Sequence, residues 1–97
     1  MLQAPQGAGR AMQTDLKTLK QLVIETARKS PVGPKVEDVE VEPNRDREGD
    51  EFLRVIIRLK TVDKDDDPAL AQLIEAIETA VGEHDERYPS VRFPDAA

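Results

Sequence analysis

Residues 51–62 read EFLRVIIRLKTV, and this stretch decides the fold. Alternation of apolar and basic side chains at period two is typical of a β-strand with one buried face. The apolar side holds Leu53, Val55, Ile57 and Leu59, and the basic side holds Arg54, Arg58 and Lys60. The stretch therefore predicts a strand with one face toward the core and one toward solvent.

The preceding residues 35–42, KVEDVEVE, predict a second strand with a narrow apolar face. The charged segment 43–50 then forms a loop, and the two strands pair as an antiparallel hairpin. We expect Val39 beside Val55 and Val41 beside Leu53, although the pattern specifies this register only to within two residues.

The other face of this hairpin is expected to be charge-matched. Opposite charges across a strand pair contribute roughly 0.2–1 kcal/mol each. The acids are Asp38, Glu40 and Glu42, and the bases are Arg54, Arg58 and Lys60. We therefore predict that the acids neutralise the basic face and that the function lies elsewhere.

Two helices are predicted around the hairpin. The first runs from about Ala11, or from a later start capped by Thr14 or Asp15, and residues 30–34, SPVGP, end it. The second begins at Asp67 and Pro68 and ends at Gly82 or continues to about residue 87. The apolar stripes are Leu16, Leu19, Leu22, Val23 and Ala27 in the first helix, and Leu70, Leu73, Ile74, Ile77, Ala80 and Val81 in the second.

Residues 90–93 are expected to add a short third strand. The predicted fold is an α+β two-layer sandwich of order α-β-β-α-(β), with an antiparallel hairpin packed under two helices. We expect a disordered tail at 1–10, a single α+β domain at 11–93 and a frayed C-terminus at 94–97. The sheet edges are open, and pairing of edges across a two-fold axis is a route to a homodimer.

Composition narrows the function. The 97 residues carry a net charge of −6, which disfavours a general nucleic-acid binder, and the absence of cysteine excludes disulfides and thiolate metal sites. No apolar run approaches the roughly 20 residues that cross a bilayer, and residues 1–10 lack the hydrophobic core of a secretory signal. We therefore expect a cytoplasmic protein with no membrane association.

No catalytic set is visible. Ser30 and Ser90 lie beside prolines, and His84 is the only histidine. A glycine-rich phosphate loop with Walker spacing is also missing. We predict a protein that is not an enzyme, with no catalytic residues and no cofactor.

The acidic turn Asp63-Lys64-Asp65-Asp66-Asp67 offers weak metal candidates in Asp63, Asp65 and Asp67. An EF-hand loop counted from Asp63 needs glycine at position 6 and glutamate at position 12. These positions hold Pro68 and Ile74. We expect a solvated turn, with weak divalent-cation binding as the alternative.

A second alternative concerns RNA. Residues 1–30 contain five basic and two acidic residues, so the first helix is the basic part of an acidic protein. Lys17, Lys20 and Arg28 are the candidates for contact with RNA or the ribosome. Exposed stacking aromatics and a glycine-rich contact loop, which such modules usually add, have no match in this sequence.

The order helix–strand–strand–helix–strand resembles two families. It is similar to the cytoplasmic domain of cation-diffusion-facilitator transporters over residues 14–93, through KVEDVEVE, EFLRVIIRLK and YPSVRF. It also resembles the KH-like ribosome-binding factors over a similar span. The metal-binding histidines of the first family and the helix–kink motif of the second are missing, so neither resemblance assigns a residue.

These observations favour a non-catalytic protein-interaction or regulatory module, with a protein partner or a second copy of itself. The reasons are a small aliphatic core, open sheet edges and the lack of a catalytic set.

Overall fold

The computed structural model describes residues 13–96, and the α+β fold is confirmed there. The predicted tail at 1–10 lies outside the described residues. Two short 3-10 turns lie at Gly33–Lys35 and Lys64–Asp66. The helices and strands are α1 (Leu16–Arg28), β1 (Val36–Arg45), β2 (Glu51–Leu59), α2 (Asp67–Gly82) and β3 (Tyr88–Arg92).

The three strands form one mixed sheet in the order β1-β2-β3. β1 and β2 are antiparallel, with Val39 opposite Ile57 and Val41 opposite Val55. This register differs by two residues from the expected one, which is the margin that the pattern allowed. β3 runs parallel to β2, so the short third strand is also present; it begins two residues and ends one residue earlier than predicted.

The register differs because β1 is longer than predicted. It continues through Pro43 to Arg45, so the loop shortens to residues 46–50. Proline is tolerated in this position because β1 is an edge strand. Gly49 has a φ of 86°, a left-handed conformation that glycine adopts without steric cost, and it allows the tight loop.

Both helices pack on one face of the sheet and bury an aliphatic core. β2 supplies the floor of this core through alternate residues. Val32 joins it from the loop after α1, and the neighbouring Gly33 passes so close to Arg28 that a Cβ would lie 2.1 Å from the Arg28 carbonyl oxygen. The buried apolar residues are Leu19, Val23, Ala27, Val32, Val39, Leu53, Val55, Ile57, Leu59, Leu70, Leu73, Ile77 and Val81.

The two helices begin and end at residues that differ in part from the predicted bounds. Of the two predicted starts, α1 takes the later one, because the Asp15 side chain accepts a hydrogen bond from Thr18 N at 3.0 Å. α2 stops at Gly82 rather than continuing to residue 87. After β3, residues 94 and 95 form a turn, and the Asp95 carboxylate accepts the backbone N–H of Leu59 at 2.9 Å.

Candidate functional site

The outer face of the sheet is the face opposite the two helices. Successive side chains of a strand point to opposite faces, so the residues between the core positions of β2 lie here. Phe52, Arg54 and Ile56 are half-buried, and Arg58 is exposed. The outer face comprises Asp38, Glu40 and Glu42 of β1, Phe52, Arg54, Ile56 and Arg58 of β2, and Ser90 and Arg92 of β3.

Charge changes sign across this face. The register aligns Glu40, Ile56 and Arg92 in one row across the three strands. The next row holds Glu42 and Arg54, followed by Ser90. The acids therefore lie on β1, while the arginines lie on β2 and β3.

The expected neutralisation of this face is not observed as ion pairs. Asp38 lies opposite Arg58 and Glu42 lies opposite Arg54 in the register, yet the ion pairs found among residues 13–96 join other residues. The Arg54 guanidinium instead lies 5.9 Å from the centroid of the Phe52 ring. Long exposed side chains gain little from pairing in water, which explains why opposed strand positions are not joined.

A depression of about 490 Å³ lies at the β3 side of the outer face. It is lined by Arg54, Ile56, Arg92, Phe93 and Pro94. Arg54 Nε is enclosed and has no hydrogen-bond partner within the described residues. An enclosed donor left unpaired costs about 1–3 kcal/mol. A carboxylate placed in the depression can reach the exposed Arg92 beside the apolar residues of the wall, but not the enclosed Arg54 Nε.

A buried ion pair, Asp85–Arg87, lies between α2 and β3 in the chain. Arg87 donates to the Asp85 carboxylate through Nε at 2.9 Å and through Nη2 at 2.8 Å. Burial alone would raise the pKa of Asp85, but hydrogen bonds from Arg87 and from the backbone of Thr14 outweigh it and hold that pKa below its ordinary value. The carboxylate is therefore held in its charged form.

This pair holds the beginning of α1 in place. Thr14 N donates to Asp85 Oδ2 at 2.8 Å, and Arg87 Nη2 donates to the Thr14 carbonyl at 3.1 Å. The Thr14 hydroxyl also donates to the carbonyl of His84. The sequence pattern assigned no role to Asp85 or Arg87. Their contact with Thr14 could not be predicted from local pattern, because Thr14 lies 71 residues from Asp85.

The acidic turn at 63–67 has partners within the protein. Lys35 Nζ lies 2.7 Å from Asp66 Oδ2 and 3.4 Å from Asp63 Oδ2, so an ammonium group already lies beside these carboxylates. Asp66 also accepts the N–H of Asp63 at 2.9 Å. Cation binding at Asp63, Asp65 and Asp67 stays a prediction, checked by the melting temperature in millimolar calcium or magnesium.

The described residues bring together a different acidic group. The carboxylates of Asp46, Glu48 and Asp50 lie within 4.8 Å of one another in the hairpin loop, and all three residues are exposed. Asp46 Oδ1 accepts the backbone N–H groups of Glu48 and Asp50, at 2.9 and 3.0 Å. Its carboxylate therefore closes the turn.

The basic candidates of α1 lie on one side of that helix. Lys17, Lys20 and Arg28 are all exposed. At about 100° per residue they fall within an arc of about 80° and span about 16 Å along the axis. The structure thus places them in one stripe, which we call the basic stripe.

Two further depressions lie along α1 where it faces α2. Their volumes are about 380 and 210 Å³, and they share Leu22 and Glu25. The larger one includes Leu73 and Ala76 of α2, and the smaller one reaches His84, which is exposed. Together they form a shallow groove that we call the helix groove.

Comparisons with known proteins identify no function for this site. No protein-family model matches the chain, and neither the curated proteins nor the solved structures contain a significant match. Neither helix within residues 13–96 has the length and apolar character needed to cross a membrane.

Proposed function

We propose that this chain is a non-catalytic protein-interaction or regulatory module that works as a homodimer. The observation that carries the proposal is the outer face of the sheet. It combines half-buried apolar groups, Phe52 and Ile56, with arginines that lack a carboxylate partner within the described residues. Such a face gains hydrogen bonds and loses apolar exposure when a protein surface covers it.

The charged groups inside the described fold support a non-catalytic role. Asp85 and Arg87 are the buried charged residues of this part of the chain, and they bind each other and Thr14. General acid–base catalysis needs a titratable group within reach of a substrate and a pKa near the working pH. Asp85 meets neither condition, because its oxygens are occupied and its pKa is lowered.

Sedimentation equilibrium from about 1 µM to 1 mM protein tests this proposal. We expect a monomer–dimer equilibrium, because a pair that binds in the micromolar to millimolar range passes from monomer to dimer over these concentrations. A strictly monomeric protein over the whole range, with no captured protein partner, would count against the proposal.

A second candidate function is RNA or ribosome binding through the basic stripe. The alignment of Lys17, Lys20 and Arg28 on one side of α1 favours it. Binding should then weaken steeply with salt. It should weaken again when the three residues are replaced by alanine, because binding with fewer cationic side chains releases fewer counterions from the RNA. No binding to a mixed RNA pool at about 50 mM salt would remove this candidate.

A further inference from the structure

The edges of the sheet are poorly suited to self-pairing. Two copies of β1 joined edge to edge would set Glu40 and Glu42 among like charges, which destabilises a strand pair. Pro43 also lacks the N–H that a ladder needs, and β3 has the same defect at Pro89. Charged residues and proline are the usual means by which proteins protect sheet edges. A second copy therefore finds its better partner on the outer face.

We infer that the outer face is the homodimer interface, and that its two-fold axis runs parallel to the strands. This inference rests on the proposed function, since it locates the contact between the two copies. The charge pattern selects the axis. Rotation about an axis parallel to the strands lays the acidic β1 of each copy over the arginine-bearing side of the other.

The alternative face-to-face arrangement is unfavourable. A two-fold axis across the strands would lay β1 over β1 and β3 over β3, so acids would meet acids and Arg92 would meet Arg92. Like charges placed together across an interface cost several kcal/mol. Either axis lays the central strand β2 over β2 of the second copy, but the axis parallel to the strands brings the acids of β1 over β3 and Arg92.

The rows of the sheet identify the contacts. Rotation about an axis parallel to the strands keeps every row at its own height along them. Glu40 shares its row with Arg92, so Glu40 of the second copy lies over Arg92 and enters the depression beside Phe93. Glu42 shares its row with Ser90, so Glu42 of the second copy lies over Ser90, one strand away from Arg54. By symmetry each contact occurs twice.

The size of the face sets the expected strength. Strands of ten, nine and five residues, with a rise of about 3.3 Å per residue and a spacing of about 4.8 Å, present roughly 400 Å² per copy. Stable interfaces bury about 800 Å² per partner, so this dimer should be weak. Its affinity depends on charge pairs at a partly exposed surface, and salt should therefore weaken it.

Substitutions that exchange the charges of Glu40 and Arg92 test the inference. The dimer is measured by sedimentation equilibrium at about 50 mM salt. Arg92→Glu alone and Glu40→Arg alone should each weaken the dimer at least tenfold. The double variant Glu40→Arg/Arg92→Glu restores complementary pairs in both halves and should return to within about threefold of the parent. Lys20→Glu on α1 makes the same charge change as Arg92→Glu and should leave the dimer unchanged.

Restoration by the double variant also shows that the chain still folds, so loss of folding cannot imitate the expected result. A parent dimer that neither single substitution weakens would overturn this inference and leave the proposed function standing, with the helix groove as the next surface to mutate. A parent that stays monomeric would overturn both.

Discussion

The two faces of β2 differ in burial, although their residues alternate along one strand. Leu53, Val55 and Ile57 are 0% exposed under the helices, while the alternating residues Arg54 and Ile56 face outward and are only half-buried. The inner residues are fully enclosed in the core. The outer residues include an enclosed nitrogen with no partner in the described chain. One strand thus supports stability on one face and, in our proposal, association on the other.

The same contrast separates two ion pairs of nearly equal length. Asp85–Arg87 has its closest atoms at 2.8 Å and Lys35–Asp66 at 2.7 Å. The side chains of Asp85 and Arg87 are 0% and 8% exposed, and those of Lys35 and Asp66 are 29% and 14% exposed. Distance does not distinguish them, so burial must decide what each contributes to the fold.

The largest effect is expected from Asp85→Ala. It leaves the Arg87 guanidinium buried without its partner and removes the acceptor of Thr14 N. Breaking a buried pair in this way costs about 3–5 kcal/mol of unfolding free energy. Urea denaturation measures it, with Asp66→Ala as the less buried counterpart, expected to lose about 1 kcal/mol or less. Equal losses in the two variants would mean that burial is not what separates the pairs.

A second comparison uses neighbouring isoleucines on opposite faces of β2. Ile57→Ala opens a cavity in the core and should cost about 2–5 kcal/mol. Ile56→Ala removes an equal volume from the half-buried outer face. It should cost about 1 kcal/mol, because the Ile56 side chain buries less apolar area than the Ile57 side chain. Urea midpoints of the two variants, measured at the same protein concentration, check the difference. Similar midpoints would contradict the assignment of faces.

The pH dependence of stability should report on Asp85. Its folded pKa lies below the unfolded value of about 3.9, so its contribution is fully present above that value. The contribution is lost as pH falls through the folded pKa. The gap in melting temperature between the parent and Asp85→Asn should therefore narrow below about pH 4. A gap that stays constant from pH 7 to pH 2 would show that the carboxylate charge is unimportant.

Local pattern was sufficient to predict the elements of the fold. The alternation in β2 and the spacing of Leu70, Leu73 and Ile77 produced the correct strand and helix, because both patterns depend on neighbours in sequence. The register was missed by two residues because β1 runs through Pro43. A proline within a sequence predicts the end of a strand, unless the strand is known to lie at the edge of the sheet.

The candidate site was harder to predict because it depends on distant residues. The acids of β1 and the bases of β2 were correctly assigned to one face, but their spacing alone implied ion pairs that the described structure lacks. The depression at Arg54 requires Arg92 and Phe93, which only the parallel pairing of β3 brings near. The Thr14–Asp85 contact joins the two ends of the fold and leaves no local signal.

A small stability change is expected at Arg54, on the outer face of β2. Arg54→Met keeps the apolar stem over Phe52 and removes the enclosed Nε that finds no partner in residues 13–96. The free energy of unfolding of the monomer should therefore stay within about 0.5 kcal/mol of the parent value or rise by up to about 1 kcal/mol, while the dimer weakens.

Arg58→Met, at an exposed position, is the control and should change the free energy of unfolding by less than about 0.5 kcal/mol. Urea denaturation in dilute solution and sedimentation at high concentration measure the two quantities. A loss of more than about 1 kcal/mol in the Arg54→Met monomer would make Arg54 a stabilising residue of the fold. Arg54 would then not be available to bind a carboxylate of a second copy.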